Sequence, residues 1–261
     1  MSRRAPNRWS FDRASSYYDS TRGLPAATAA AVQRLLVREL QDRGLCLEVG
    51  VGTGRIALPL ADAGVAMAGV DLSHTMLAKL VEKSGGSPPF PLAMADVALL
   101  PFRSGRFGAA LACHVLHLVE EWRTALAELA RVVRRPGVVL IDIGGWGQEW
   151  TGELVDRFIE ASVADVHVPG THDLAQVDAA MRDLGARPRR LERVVDERRE
   201  APADLIQRLE AGLFSITWQM DEIARRRGAD AVRAWAERRW GAPDRPQAVT
   251  NSIIWTAYDL E

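Results

Sequence analysis

The stretch Leu45-Cys46-Leu47-Glu48-Val49-Gly50-Val51-Gly52-Thr53-Gly54-Arg55 decides how this chain folds. Its first half is a short apolar run between Gly44 and Gly50, which reads as a buried strand. Its second half is a glycine-rich turn into a helix over 54–63 that Gly64 ends. Glycines at such a turn let the backbone bend sharply and approach a ligand with no Cβ in the way. The N–H groups at the start of the following helix favour an anionic or polar group. By itself the turn is weak evidence, because a plain tight connection can look the same.

Outward from this stretch the pattern repeats. Upstream, Ala27, Ala31, Val32, Leu35, Leu36 and Leu40 have helical spacing, which predicts a helix over 24–43. Downstream, Val65–Val70 reads as a strand, Ser73 caps a helix to about Glu82, and Leu92–Ala95 reads as a short strand. Phe107–Cys113 is a strand, 121–134 a helix, and Pro136-Gly137 a turn into a strand over Val138–Ile143. Strands alternating with helices of this length predict an α/β fold with a parallel sheet covered on both faces. Beyond Gly144 the reading gives helices near 148–164 and 174–184, a charged strand over 189–196, and a helical block over 202–240. The closing SIIWTAYDL reads as one final strand. The chain thus divides into a polar N-terminal segment, 1–23, a core, 24–143, and a looser C-terminal part, 144–261.

Composition narrows the function. Lys+Arg is 33 and Asp+Glu 34, a net charge of -1, so the basic excess that usually accompanies nucleic-acid binding is missing. Arg187 to Arg245 holds fourteen arginines against eleven acids, which reads as a solvated helical surface. Only Lys79 and Lys83 are lysines, and neither has the neighbours that Schiff-base or P-loop chemistry needs. The N-terminus has no apolar run after its basic residues, unlike a secretory signal. The longest apolar run, Ala109 to Val119, is eleven residues, well short of the about 18 of a membrane span. Cys46 and Cys113 read as buried thiols of a reducing compartment, and the expected location is cytoplasmic.

Two acids follow the glycine turn in register. Asp71 ends the second strand, 21 residues after Gly50, where an acid can accept both ribose hydroxyls of an adenosine ligand. Asp96 ends the third strand, where it can take an adenine amine. Gly52-Thr-Gly54-Arg-Ile-Ala57 meets the loose dinucleotide pattern of dehydrogenases, but the first glycine after the strand is Gly50, and counted from there the sixth position is Arg55. The ordered series E-x-G-x-G-x-G, V-D-x-S, A-D-x-x-x-L-P-F, H-V-L-H-L and L-x-E-x-x-R-V-x-R-P-G, from about Phe11 to Ile143, resembles a class I S-adenosylmethionine-dependent methyltransferase. The small-molecule branch with the ubiquinone/menaquinone-type enzymes is the nearest likeness.

That resemblance implies a Rossmann-like, doubly wound, mostly parallel seven-stranded sheet with a helical lid and an inserted helical cap over about 202–240. It implies S-adenosyl-L-methionine as cofactor. Gly50, Gly52 and Gly54 would line its methionine and ribose part, with Glu48 ordering the loop. Asp71 would hold the ribose, Leu72 and Met76 would flank the adenine, and Asp96 and Val97 would bind the adenine edge. The Cys113 carbonyl would meet the methionine amino group. Residues 1–23 resemble the lid, whose Tyr18 and Arg22 would meet the methionine carboxylate, unless the tyrosines only pack it.

Methyl transfer needs mainly alignment and a dry pocket. His117 and His114 follow the fourth strand; His117, the better candidate, is either a base or a structural group of the pocket wall. His74, His167 and His172 sit in capping or loop contexts and are expected to be exposed. No pair of carboxylates has Mg²⁺ spacing, so no metal is expected. Trp146, Trp150, Phe214 and Trp218 are candidates for lining an apolar or aromatic small-molecule cavity, though a tryptophan at helical spacing is commonly core. The expected function is metal-independent methyl transfer to O, N or C of a small molecule. A cyclase that binds S-adenosylmethionine without methylating stays open, and a nicotinamide dehydrogenase is the remaining alternative.

Overall fold

A computed structural model describes residues 11–145 and 149–261. Among the described residues nine strands are formed: β1 (Cys46–Val49), β2 (Met67–Asp71), β3 (Leu92–Met94), β4 (Phe107–Cys113), β5 (Val133–Asp142), β6 (Ala186–Arg190), β7 (Val194–Glu200), β8 (Gln247–Ile253) and β9 (Thr256–Leu260). The α-helices are α1 (Tyr18–Arg22), α2 (Ala26–Leu40), α3 (Ala57–Asp62), α4 (His74–Lys83), α5 (Trp122–Val132), α6 (Trp150–Ser162), α7 (Leu174–Asp183), α8 (Pro202–Glu210) and α9 (Glu222–Trp240).

The chain forms two compact units. The larger holds residues up to Gly144, then Pro169–Val194 and Ile254–Glu261. Its seven-stranded sheet has the order β3-β2-β1-β4-β5-β9-β6. β1 to β5 run parallel, and β9 is antiparallel to both β5 and β6. All seven residues of β4 are buried, as expected for the middle of a sheet covered on both faces. On one face Trp122, Ala125, Leu126 and Leu129 of α5 pack with Val177 and Met181 of α7. Tyr258 and Arg190 both bond the buried Asp178, at 2.8 and 2.5 Å, and tie α7 to β9 and β6. The expected cap is in place: Ser73 Oγ accepts from Met76 N, a contact worth about 0.5–2 kcal/mol.

The smaller unit holds Gly145–Val168 and Val195–Ile253. Leu154, Phe158, Leu205, Leu209, Val232 and Ala236 form its core between α6, α8 and α9, and β7 pairs with β8 in a two-stranded sheet.

Two strand expectations are corrected here. The charged stretch over 189–196 is not one strand: β6 ends at Arg190 and β7 begins at Val194. The closing segment is likewise cut between Ile253 and Thr256. The cuts lie opposite each other, where Leu191 N donates to Trp255 O at 2.9 Å. Each arm leaves the large sheet at this point. In β8 only Val249 is buried while β9 is almost wholly buried, a change of pattern within one apolar-looking run. Division at 143/144 is also too simple, since 169–194 and 254–261 return to the larger unit.

Candidate cofactor and active site

Strand register puts the candidate groups on one sheet edge. Val49 pairs with Val70 and with Ala112, and Ala112 with Ile141. One residue further along each strand stand Gly50, Asp71, Cys113 and Asp142, so four chemically distinct positions share the carboxyl edge of the sheet, where open α/β sheets bind ligands.

At β1 and β2 the loop is built around a carboxylate. Gly50, Gly52 and Gly54 have φ of 62°, 54° and 80°. A Cβ on Gly50 would lie 2.4 Å from Val115 Cγ2, so the residue must be glycine for space as well as conformation. Asp71 Oδ2 accepts from Gly52 N and Oδ1 from Ser73 N, both at 2.8 Å. Burial raises the Asp71 pKa against these N–H bonds. Each oxygen keeps a second lone pair for a ligand hydroxyl. Met76 is buried against Gly52, whose Cβ would stand 3.4 Å from Met76 Cε. Half-buried Leu72 follows Asp71. Asp96 bends its own turn, with Oδ1 accepting from Ala98 N at 2.9 Å, and Val97 is buried beside it.

Beneath this loop Glu48 is 2% exposed, and its Oε2 has no hydrogen-bond partner. Burial pushes its carboxyl up to about 8, while Arg55 pulls the other way. An orphaned buried acceptor costs about 1–3 kcal/mol until a donor arrives. Arg55, the last residue of the glycine stretch, received no role from sequence. Its buried guanidinium Nη2 lies 3.3 Å from Cys113 Sγ. Burial opposes its charge, but Cys113, Tyr18, Glu48 and Asp142 hold its pKa above the ordinary value.

The described part of the N-terminal segment docks by two aspartates that sequence reading passed over. Asp12 Oδ1 accepts from Ser73 Oγ at 2.6 Å and from Thr75 Oγ1 at 2.9 Å, at the start of α4. Asp19 Oδ1 accepts from Thr53 Oγ1 at 2.6 Å, inside the glycine loop, and Oδ2 pairs with Lys83 at 2.9 Å. Tyr18 meets Phe11 edge to face at 5.9 Å. Burial raises the Tyr18 pKa, and the charges of Arg55, Arg22 and Asp71 all reach it, so both lid candidates belong to the loop's surroundings.

At β4 and β5 the arrangement is different. His114 has φ 56° and its ring packs on Gly144. His114 Nε2 lies 3.3 Å from Asp142 Oδ2, and Gly144 N donates to Asp142 Oδ1 at 2.9 Å. Burial works against the Asp142 charge, but His114 and Gly144 outweigh it and keep the carboxyl below its usual range. Cys113 Sγ, His114 and Asp142 bring donor atoms within 4.8 Å of one another, a cluster that a search for carboxylate pairs overlooks. Thiol, imidazole and carboxylate suit a transition metal rather than Mg²⁺. Two features of the cluster oppose a cation: the Arg55 guanidinium at the sulfur, and burial, which pushes the Cys113 thiol well up.

His117 stacks on His172 with ring centroids 4.6 Å apart and planes 20° apart. His117 Nδ1 is buried without a hydrogen-bond partner. Burial first, then His172, His114 and Arg22, lowers its pKa to about 3. His172 is exposed, as expected, but its place over His117 could not be foreseen from a position 55 residues away.

The substrate candidates fare unevenly. Trp146 lies outside the described residues. Phe214 is corrected to a core residue of the smaller unit, 3% exposed and under the Arg208 guanidinium. Trp150 is likewise buried: its indole N–H donates to Ala248 O at 2.8 Å and its ring meets Trp240. One edge of it lines a cavity of about 460 Å³ with Glu149, Glu153, Arg239 and Trp240. Trp218 is half-buried and bonds Gly212 O through its indole N–H at 3.0 Å.

The fold is Rossmann-like, with the candidate ligand groups on the carboxyl edge of its sheet. Residues 47–141 match the methyltransferase domain family. The chain is 28% identical over 252 residues to a malonyl-[acyl-carrier protein] O-methyltransferase of Geobacter sulfurreducens, covering 92% of this chain and 93% of that one. It is 41% identical over 101 residues to a phosphatidylethanolamine N-methyltransferase of Cereibacter sphaeroides, covering 38% of this chain and about half, 49%, of that relative. The solved YcgJ protein of Bacillus subtilis superposes with a TM-score of 0.62 at 15% identity, over 91% of this chain and all of that one, a likeness of fold. Residues 47–141 thus have the sequence of a methyltransferase domain, and the comparisons support S-adenosylmethionine as its cofactor. Among the described residues no helix is long and apolar enough to cross a membrane.

Proposed function

We propose that the chain transfers a methyl group from S-adenosylmethionine to a small-molecule acceptor without a metal ion. The observation that carries this reading is the orphaned, buried Oε2 of Glu48 below the glycine loop. A cationic amino group, such as the methionine end of the cofactor presents, satisfies that oxygen and favours the ionised carboxylate. The glycine loop and Asp71 fit a ribose beside it, and Asp96 with Val97 fits an adenine edge.

When bound, the cofactor supplies a methyl group made electrophilic by its sulfonium. The chain supplies alignment, which can account for about 7–11 kcal/mol of a barrier. Asp71 fixes the loop through Gly52 N. Arg55, held by charges on several sides, stiffens the edge between Glu48 and Cys113. Proton removal falls to His114 rather than His117. A base works best with a pKa near the operating pH, and burial leaves His117 a weak one. Asp142 holds His114 Nε2–H, orients the ring and leaves Nδ1 to take the acceptor's proton. His117 stays a neutral group of the pocket wall. Support for metal independence comes from the guanidinium that already faces the Cys113 sulfur.

The test has two parts. Calorimetry with S-adenosylhomocysteine and with NADH should give binding of the first alone; the reverse sinks the reading. Incubation with methyl-labelled cofactor and a panel of phenols, amines and carboxylates should transfer label with EDTA present. Binding of S-adenosylhomocysteine without transfer to any acceptor would favour a non-methylating protein such as a cyclase, and loss of transfer in EDTA would return the Cys113–His114–Asp142 cluster to consideration.

A further inference from the structure

We propose that the stacked pair His117–His172 is an anion-anchoring subsite, and that the acceptor molecule carries a carboxylate or phosphate group that docks there. The inference rests on the methyl-transfer reading above and adds the substrate's chemical class.

His172 is not held loosely. Gly170 N donates to His117 O at 3.1 Å and Thr171 N to Leu116 O at 3.2 Å, so 170–171 lies on the turn that carries His117. The fit at Gly170 leaves no room for a side chain, since a Cβ would fall 1.8 Å from Leu116 O. On the other side Thr171 Oγ1 accepts from Asp173 N, and Asp173 caps α7 through Ala175 N and Gln176 N. The main chain on both sides of His172 is therefore anchored, and its imidazole stacks on the His117 ring at 4.6 Å. An exposed histidine would otherwise be free to choose among rotamers.

The charges around the pair are one-sided. His117 faces His172 from the 169–173 segment, His114 from the end of β4 and Arg22 from α1, and each opposes a positive charge on it. The acids of the same elements are engaged or turned to water. Asp142 is on His114, Asp19 is on Thr53 and Lys83, and Asp173 is spent on its cap. Glu120 and Glu121 are exposed. An anion placed against His117 Nδ1 would satisfy the orphaned nitrogen and reverse the sign of its surroundings. Both imidazoles would then gain proton affinity, so binding takes up protons and strengthens as pH falls for as long as the ligand stays ionised. Beside the pair, His114 would face the remainder of the acceptor, which divides the turn after β4 into an anchoring part and a proton-accepting part.

The chain has five histidines, few enough for each imidazole to be followed by NMR. Signals of the full chain, alone and saturated with S-adenosylhomocysteine, are recorded against pH with inorganic phosphate, with acetate, and with acetamide as the uncharged control. His117→Gln and His172→Gln assign the two resonances. One or both anions should raise the His117 and His172 midpoints by about one pH unit, a tenfold gain in proton affinity. His74 and His167, both exposed, should keep their positions, and acetamide should do nothing. A response to phosphate alone or acetate alone names the anion. His172→Gln should cut the His117 response several-fold. The proposal is overturned if neither anion moves the pair, or if acetamide moves it as much. Failure of S-adenosylhomocysteine to bind would sink the methyl-transfer reading instead, and the anion response of the chain alone would still be read.

Discussion

One sheet edge carries two unlike constructions. At β1 and β2 the working groups bond within and between two consecutive motifs: Asp71 reaches Ser73, two residues on, and Gly52, 19 residues back. At β4 and β5 the groups are collected from distant places: Arg55 on Cys113, Asp142 under His114, His172 over His117. The first construction is a fixed backbone shape, and its energetics lie in conformation and space. The second is a set of side chains whose protonation depends on one another, and its energetics are electrostatic.

The largest effect should come from the second construction. His114→Ala is expected to lower the single-turnover rate by about 10²–10⁴ for an acceptor that must lose a proton, with S-adenosylhomocysteine affinity unchanged. His117→Ala should cost less than His114→Ala. If the order is reversed, His117 is the base and the role given to the His114–Asp142 pair is wrong.

Next in size is a break in the first construction. Gly50→Ala forces a left-handed residue at about 1–2 kcal/mol and a clash with Val115 at about 1–3 kcal/mol. Urea unfolding should register the sum as a loss of stability of about 2–5 kcal/mol. Val115→Ala in the same chain relieves the clash but not the backbone strain, so it should restore only part. Full restoration would mean that φ at this position is of no consequence.

The two constructions also differ in how far sequence discloses them. The glycine stretch, Asp71 and Asp96 could be placed because a strand–turn–helix unit fixes its own geometry and the strand periodicity fixes the register. The five strands of the parallel core were legible for the same reason. What was not legible is contact across sequence distance. Arg55 stood in the quoted motif, yet its partners Cys113 and Asp142 are brought to it only by sheet order. Asp142 forms no carboxylate pair in the sequence, and its place under His114 has no local signature. His172 was read correctly as exposed, but a stacked ring has no local signature. The same gap explains Trp150 and Phe214: helical spacing says that a face is apolar, and only packing says that it is core. It also explains the two cut strands, since SIIWTAYDL has one composition but two sets of partners.

Acid should sharpen the contrast further. His117 is neutral in the fold down to about pH 3, whereas in the unfolded chain it takes a proton near 6.5. Between those values the unfolded chain binds more protons, so stability falls as pH drops through that window, by at most about 1.4 kcal/mol per pH unit from this residue. Thermal melts from pH 7 to pH 4.5 should therefore show a smaller loss for His117→Gln than for the natural chain. Parallel slopes would mean that solvent reaches the ring.

The smallest effect separates two contacts of a single residue in the N-terminal segment. Asp19 holds Thr53 Oγ1 at 2.6 Å within the glycine loop, and it pairs with Lys83 at 2.9 Å where both side chains are about a third or more exposed. An exposed ion pair of this kind contributes about 0–1 kcal/mol. Lys83→Met should therefore quicken tryptic cleavage after Arg22 by no more than about fivefold, the equivalent of 1 kcal/mol. Thr53→Val keeps the shape of the side chain and removes the hydroxyl donor to a carboxylate, a bond worth about 1.5–3 kcal/mol, so its effect should be the greater. In both variants S-adenosylhomocysteine should slow cleavage if the ligand takes the proposed place at the loop, because Asp19 holds the segment on that loop through Thr53. If Lys83→Met frees the segment as fully as Thr53→Val, the latch is the surface ion pair. The segment would then be tethered to α4, and its closure would be independent of the glycine loop.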